Sequence, residues 1–279
     1  MSKQAQAPSE LQSQEDEVVQ VEAVPQTSQV VYKLRDIGRG MVSAWKSRFP
    51  SSYKNVQISH GDIFNYAPAA DAIVSPANSF GCMDGGIDMV YSRHFGWQMQ
   101  NRLQKVIREE LDGEILVGQA VIIPAYEEEN PPKEEDLKGC NEGAPIKYLV
   151  SAPTMRVPQS VENTVNAYLA FRAVVLAVQK HNARNPDSQI RSVLCPGLGT
   201  AVGMMDFKQC AQQMCLAYET HELKLPEHRF RVCPDNLWIM EADQEKMIKV
   251  KVHIELHANL NALYHSGMIV RCNRCHLRK

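Results

Sequence analysis

Ser75-Pro76-Ala77-Asn78-Ser79-Phe80-Gly81-Cys82-Met83-Asp84-Gly85-Gly86-Ile87-Asp88 is the stretch from which the fold can be read. Ala72-Ile73-Val74 just before it is short, apolar and β-branched, which predicts a buried strand. Pro76, Gly81, Gly85 and Gly86 interrupt regular structure. From Ile87 the pattern turns helical and is expected to run to about Glu110. Strand, glycine-rich loop and helix therefore follow one another. Such a loop brings bare backbone N–H groups and a helix N-terminus up to an anion. Asn78, Asp84 and Asp88 add an amide and two carboxylates around the same loop.

The 279-residue chain has room for one large domain or a domain with an appendage. Its formal net charge of −2 offers no overall field to attract nucleic acid or an anionic membrane. No apolar run approaches the roughly 20 residues of a membrane span. Met1 to Pro25 is rich in Gln, Glu and Ser and has no apolar centre, so it does not read as a signal peptide. The eight cysteines are scattered, several within apolar runs such as Val193-Leu194-Cys195, and read as reduced, packed thiols of an intracellular protein. The cytoplasm is the expected compartment, with the nucleus left open.

Working outward, residues 1–29 offer too little apolar surface to offset ordering entropy and are expected to be disordered. Leu34, Ile37, Met41, Val42, Trp45 and Phe49 recur at helical spacing, interrupted by Gly38 and Gly40. Val56 to His60 alternates as a strand and leads into Gly61-Asp62-Ile63. Leu116 to Pro124 and Ile146 to Val150 are the next predicted strands, around an acidic surface loop from Tyr126 to Ala144. Ser160 is the expected N-cap of a helix through His181. Ser192 to Cys195 is another buried strand, opening into Pro196-Gly197-Leu198-Gly199-Thr200-Ala201-Val202-Gly203. A helix follows from about Asp206 to Tyr218. Strands alternating with helices argue for a largely parallel sheet flanked by helices. Both glycine loops then emerge at the carboxyl ends of strands, where ligands bind in such sheets. A main domain over 30–222 and an appendage over 223–279 are expected. The alternating run Ile248 to Leu256 is a strand candidate in the latter.

With both loops in view, residues 56–219 resemble the macro domain family. Gly61-Asp62-Ile63 is similar to the family's GDI motif, and Asp71 to Asn78 to its DAIVNAAN segment. Gly85-Gly86-Ile87-Asp88 is similar to the end of its GGGGVD loop, and Pro196 to Gly203 to its second phosphate-binding loop. The resemblance implies a three-layer α/β/α fold with a mixed, largely parallel central sheet. It also implies ADP-ribose, free or attached to protein, as ligand, with no cofactor and no metal. Three departures stand out: Ser75-Pro76 for Asn-Ala, Cys82-Met83-Asp84 within the glycine run, and Gly203 where many members carry an aromatic over the distal ribose. The pattern looks like a divergent branch that includes enzymes removing ADP-ribose from proteins.

Carried over residue by residue, the resemblance gives Asp62 to the adenine amino group and the backbone N–H groups of Gly199, Thr200, Ala201 and Val202 to the diphosphate, with Ile63, Gly197, Leu198 and Gly203 as further ADP-ribose-binding residues. Gly85 and Gly86 bind the ligand from the first loop, and Asn78, counted with the catalytic candidates, orients the distal ribose. Asp88, then Asp84, are candidates to act on a water at the anomeric carbon, because glycosidic cleavage passes through an oxocarbenium-like state. The ligand's own phosphate could also activate that water. Each has a plainer reading: a turn carboxylate for Asp62, a loop staple for Asn78, a favourable helix-start charge for Asp88. A hydrolase and a non-catalytic reader of ADP-ribosylated proteins share every binding residue. A nucleotide-dependent dehydrogenase is disfavoured, since no G-x-G-x-x-G follows the first strand. Cys272-Asn273-Arg274-Cys275-His276 lacks a second cysteine pair for a zinc site, and Cys82, Cys195, His60 and His94 read as packing or surface residues.

Overall fold

The computed structural model describes residues 30–127, 129, 131–225 and 244–249. Six strands form one sheet: β1 (Val31–Asp36), β2 (Val56–His60), β3 (Ala72–Ser75), β4 (Val121–Pro124), β5 (Tyr148–Ser151) and β6 (Ser192–Cys195). Their order is β2-β1-β6-β3-β5-β4, and every neighbouring pair is parallel except β4 with β5. The helices are α1 (Arg39–Arg48), α2 (Gly86–Phe95), α3 (Gln98–Glu110), the single-turn α4 (Glu134–Leu137), α5 (Asn166–Arg184) and α6 (Phe207–His221).

The central strands β3, β5 and β6 are buried on both faces, with apolar residues at successive positions. Val74, Val150 and Val193 face a core shared with α1, α5 and α6, and Ile73, Leu149 and Leu194 face a second core shared with α2 and α3. This is the three-layer, mixed and mostly parallel arrangement expected. The carboxyl ends of β1, β2, β3, β5 and β6 share one edge, where both glycine loops emerge.

Several local expectations are corrected. Leu34 belongs to a strand, not a helix: Tyr32 and Leu34 are fully buried with the partly exposed Lys33 between them, and α1 begins only after its N-cap Gly38. The long helix from Ile87 breaks into α2 and α3 at Gly96, which sits at φ 87° where a side chain would run into Gln98. Leu116 to Ala120 forms a turn rather than strand, with Gly118 at φ 101°. Ser160 does not cap the long helix. Its hydroxyl closes a local turn on Glu162, and α5 begins at Asn166. The acidic loop is stitched to the body by Asn141, which bonds the backbone N–H and C=O of Ala70 at 2.7 and 3.2 Å. Residues 244–248 are helical; the rest of the strand expected to Leu256, like residues 1–29, lies outside the described residues.

Candidate functional site

A cavity of about 560 Å³ opens at the carboxyl edge of the sheet, a size suited to a ligand of nucleotide dimensions. Asp62, Ile63, Asn78, Asp84, Gly85, Gly86, Asp88, Gly197, Gly199, Thr200, Ala201, Val202 and Gly203 all line it. Leu198 does not. Its side chain is fully buried in the core, and its backbone bonds the Cys210 sulfur.

The second loop follows β6 and is folded on itself. Met205 N–H donates to Gly199 O at 3.0 Å, Met204 N–H to Ala201 O at 3.0 Å, and Gly203 O accepts from Val161 N–H at 2.8 Å. Among the described residues, none of the amides of Gly199, Thr200, Ala201, Val202 and Gly203 carries a hydrogen bond. Gly197 differs, because its N–H is held by Asp36 Oδ2 at 3.1 Å. Gly203 is buried against Gly199 and Val161. An added Cβ would lie 2.5 Å from Gly199 O, so an aromatic side chain has no room there.

The first loop follows β3 and is anchored by its neighbours. Thr154 N–H donates to Ala77 O at 3.2 Å, and Ser79 N–H to Arg156 O at 3.1 Å. Asn78 faces the cavity, but its amide staples the loop: Oδ1 accepts from Phe80 and Cys82 N–H at 3.0 and 3.2 Å, and Nδ2 donates to Cys82 O at 2.9 Å. One Nδ2 hydrogen is left over from that staple. No side chain caps α2, so its N-terminus at Gly85-Gly86 is left to the cavity. In α6, by contrast, Asp206 Oδ1 accepts from Lys208 and Gln209 N–H at 2.9 and 3.2 Å.

Four carboxylates face the cavity in different states. Asp62 uses Oδ1 to close its own turn, accepting from Phe64 and Asn65 N–H, each at 2.9 Å. Asp84 is exposed on the loop. Asp36 bridges two loops. Asp88, 9% exposed in the first turn of α2, accepts a 2.5 Å hydrogen bond from the buried Ser75 hydroxyl. Burial pushes its pKa up to about 7, against the lowering effect of that bond.

The sequence reading missed Arg35, Asp36, Ile37 and Phe207, which also line the cavity. Arg35 is 7% exposed and gathers the loop after β2, donating to Asp62 O at 2.6 Å, Ser59 Oγ at 3.1 Å and Asn65 O at 3.1 Å. Phe207 packs over Gly40, where a Cβ would lie 2.8 Å from its ring. Two adjacent charges at the end of an unrecognised strand and a lone aromatic at a helix start carry no sequence signal. Cys82 is corrected too: it is exposed and lines the cavity, whereas Cys195 is buried and its thiol is pushed well up by burial. Among the described residues no cluster of His, Cys, Asp or Glu is placed to hold a metal ion, and no helix is long and apolar enough to cross a membrane. Cys272 to His276 lies outside them.

No protein-family model matches the chain. It is 28% identical over 177 residues to an uncharacterised protein of Aquifex aeolicus (strain VF5), covering 63% of this chain and 84% of that protein. It is 27% identical over 173 residues to one of Aeropyrum pernix, covering 61% and 74%. Among solved structures it is similar to the macrodomain of Mycobacterium tuberculosis DarG, with 19% identity, a TM-score of 0.41, and coverage of 58% of this chain and 88% of that one. The Oceanobacillus iheyensis macrodomain with ADP gives 16%, 0.41, 58% and 74%. Thermosipho africanus DarTG in complex with ADP-ribose gives 16%, 0.43, 63% and 43%.

Proposed function

We propose that the cavity binds ADP-ribose and that the protein hydrolyses ADP-ribose from modified proteins. The observation that carries the reading is a run of five backbone amides without partners, Gly199 to Gly203, in residues that line a cavity together with Asp84 and Asp88. A diphosphate satisfies such amides without a cationic side chain. That suits a cavity lined by four carboxylates, whose one arginine is engaged with backbone carbonyls. The carboxylates in turn suit the donor groups of the ligand, the adenine amino group and the ribose hydroxyls. In this reading Asp62 and Ile63 take the adenine end, and Asn78, Asp84 and Asp88 surround the distal ribose.

The state of Asp88 supports the hydrolase reading. A carboxyl balanced near neutrality is ionised in part at working pH, where a general base is most effective. Ionised Asp88 accepts a proton from a water whose oxygen forms the new bond to the anomeric carbon. The bond from that carbon to the protein side chain breaks with its electron pair leaving on the side chain, which is then protonated. Neighbouring carboxylates stabilise the oxocarbenium-like charge.

The test is release of free ADP-ribose from Arg-linked and Glu-linked ADP-ribosylated proteins, with Asp84→Ala and Asp88→Asn in parallel. Release by the wild type and its loss in Asp88→Asn is the expected result. No release from either linkage, with ADP-ribose still bound in calorimetry, would leave a reader and remove the hydrolase.

A further inference from the structure

Ser75 stands where the sequence departs from the expected Asn, and its side chain has one visible task. It is the last residue of β3, has no exposed surface, and donates to Asp88 Oδ1 at 2.5 Å. Among the described hydrogen bonds this is the one made by the Asp88 carboxyl. Ser75 sits behind Asp88, on the sheet side, while Asp88 also borders the cavity.

We propose that Ser75 is a positioning residue, its hydroxyl fixing Oδ1 of Asp88 against the sheet so that Oδ2 faces the cavity. The inference rests on the reading of Asp88 as the group that accepts a proton from water. A carboxylate with a single donor is held in one rotamer by that donor, and the same bond favours its ionised form. Nothing nearby substitutes for it. The titratable groups around this part of the site are acids: Asp84 in the loop, Tyr91 on α2, Asp36 at the end of β1, Asp62 after β2 and Cys195 on β6. The Arg35 guanidinium donates to Asp62 O, Ser59 Oγ and Asn65 O. Burial and the Ser75 bond are the influences that act on Asp88.

The fold supplies a matched control. Ser151 on β5 is the register partner of Ser75, is equally buried, and its hydroxyl has no hydrogen-bond partner. Removing the Ser151 hydroxyl changes packing in the same layer without touching Asp88.

The experiment titrates the Asp88 side-chain carbon by NMR in aspartate-labelled full-length protein, with its signal identified by its absence in Asp88→Asn. In Ser75→Ala the ionisation midpoint is expected to rise by about half a pH unit or more, because a bond favouring the ionised form is gone. Ser75→Cys, which keeps the volume with a poor donor, moves it the same way, and Ser151→Ala leaves it in place. An unchanged midpoint in Ser75→Ala or Ser75→Cys, or an equal rise in Ser151→Ala, overturns the proposal. The titration needs no turnover, so a failed hydrolase reading shows separately as absent ADP-ribose release.

Discussion

One carboxylate joins the two strands that come from opposite ends of the domain: Asp36 accepts from Gly197 N–H at 3.1 Å through Oδ2 and from Gly38 N–H at 2.7 Å through Oδ1. The backbone O of the same residue accepts from Gly61 N–H at 3.0 Å. Asp36 thus sets the second glycine loop relative to the start of α1 and the Asp62 turn. Asp36→Asn keeps the shape but has one acceptor atom for two donors. It is expected to weaken the proposed ADP-ribose binding by roughly 10-fold, the equivalent of about 1.4 kcal/mol, as one half-buried amide loses its acceptor. Calorimetry on the folded variant measures it, and an unchanged Kd would show that the loop keeps its shape without the bridge.

Gly203 and Gly85 both line the cavity, yet an added methyl meets different surroundings. At Gly203 it lies 2.5 Å from Gly199 O and 2.6 Å from Val161 Cγ2; at Gly85 there is nothing within 4 Å. Gly203→Ala is expected to cost about 1–3 kcal/mol through overpacking. Gly85→Ala, at an extended φ of −141°, should leave the melting temperature nearly unchanged. Thermal melts of both variants make the comparison, and equal melting temperatures would contradict the packing described.

Asp88 predicts a pH-dependent stability. Its folded value of about 7 lies above the ordinary 3.8, so its contribution is fully present below the lower value and is lost as pH rises through the higher. Asp88→Asn cannot ionise. The variant should therefore gain on the wild type between about pH 4 and pH 8, with the gap widening toward the alkaline end. Urea midpoints across that range give the gap directly; a gap independent of pH would mean that Asp88 is not held near neutrality by burial.

Gln213, fully buried on α6, joins three backbone groups. Its Oε1 accepts from Tyr168 N–H at 3.1 Å in the first turn of α5, and its Nε2 donates to Thr164 O at 2.8 Å and Met247 O at 3.0 Å. Gln213→Leu removes that partner from Tyr168 N–H and Met247 O, while Thr164 O keeps Gln209 Nε2 at 3.3 Å; the loss is expected to cost about 1–3 kcal/mol. Hydrogen exchange should accelerate at Tyr168 while the amides of β3 are expected to stay protected. Unchanged exchange at Tyr168 would show that its amide does not depend on Gln213.

The parts of the site legible in the sequence were those written in consecutive residues. Gly199 to Gly203 and Gly85 to Asp88 announce themselves because backbone approach to a ligand requires small residues at fixed local spacing. Asp36, Arg35 and Phe207 were silent, since their roles come from strands and helices that meet only in three dimensions. The strand before Asp36 was hidden because Leu34, Ile37 and Met41 fit a helical period as well as Tyr32 and Leu34 fit an alternating one. Its pairing with β6, far along the chain, is a tertiary fact.

The sequence by itself determined the α/β class and the two cavity-lining glycine loops, because strand patterning and glycine placement are local properties of the chain. Only the tertiary structure decided which of the loop residues are available. It turned Leu198 into the core and engaged the Gly197 amide with Asp36. It also buried Asp88 against Ser75, where desolvation raises the pKa of a carboxyl to about 7. Burial, hydrogen-bond partners and ionisation depend on what the fold packs around a residue, and that is not written in its immediate neighbours.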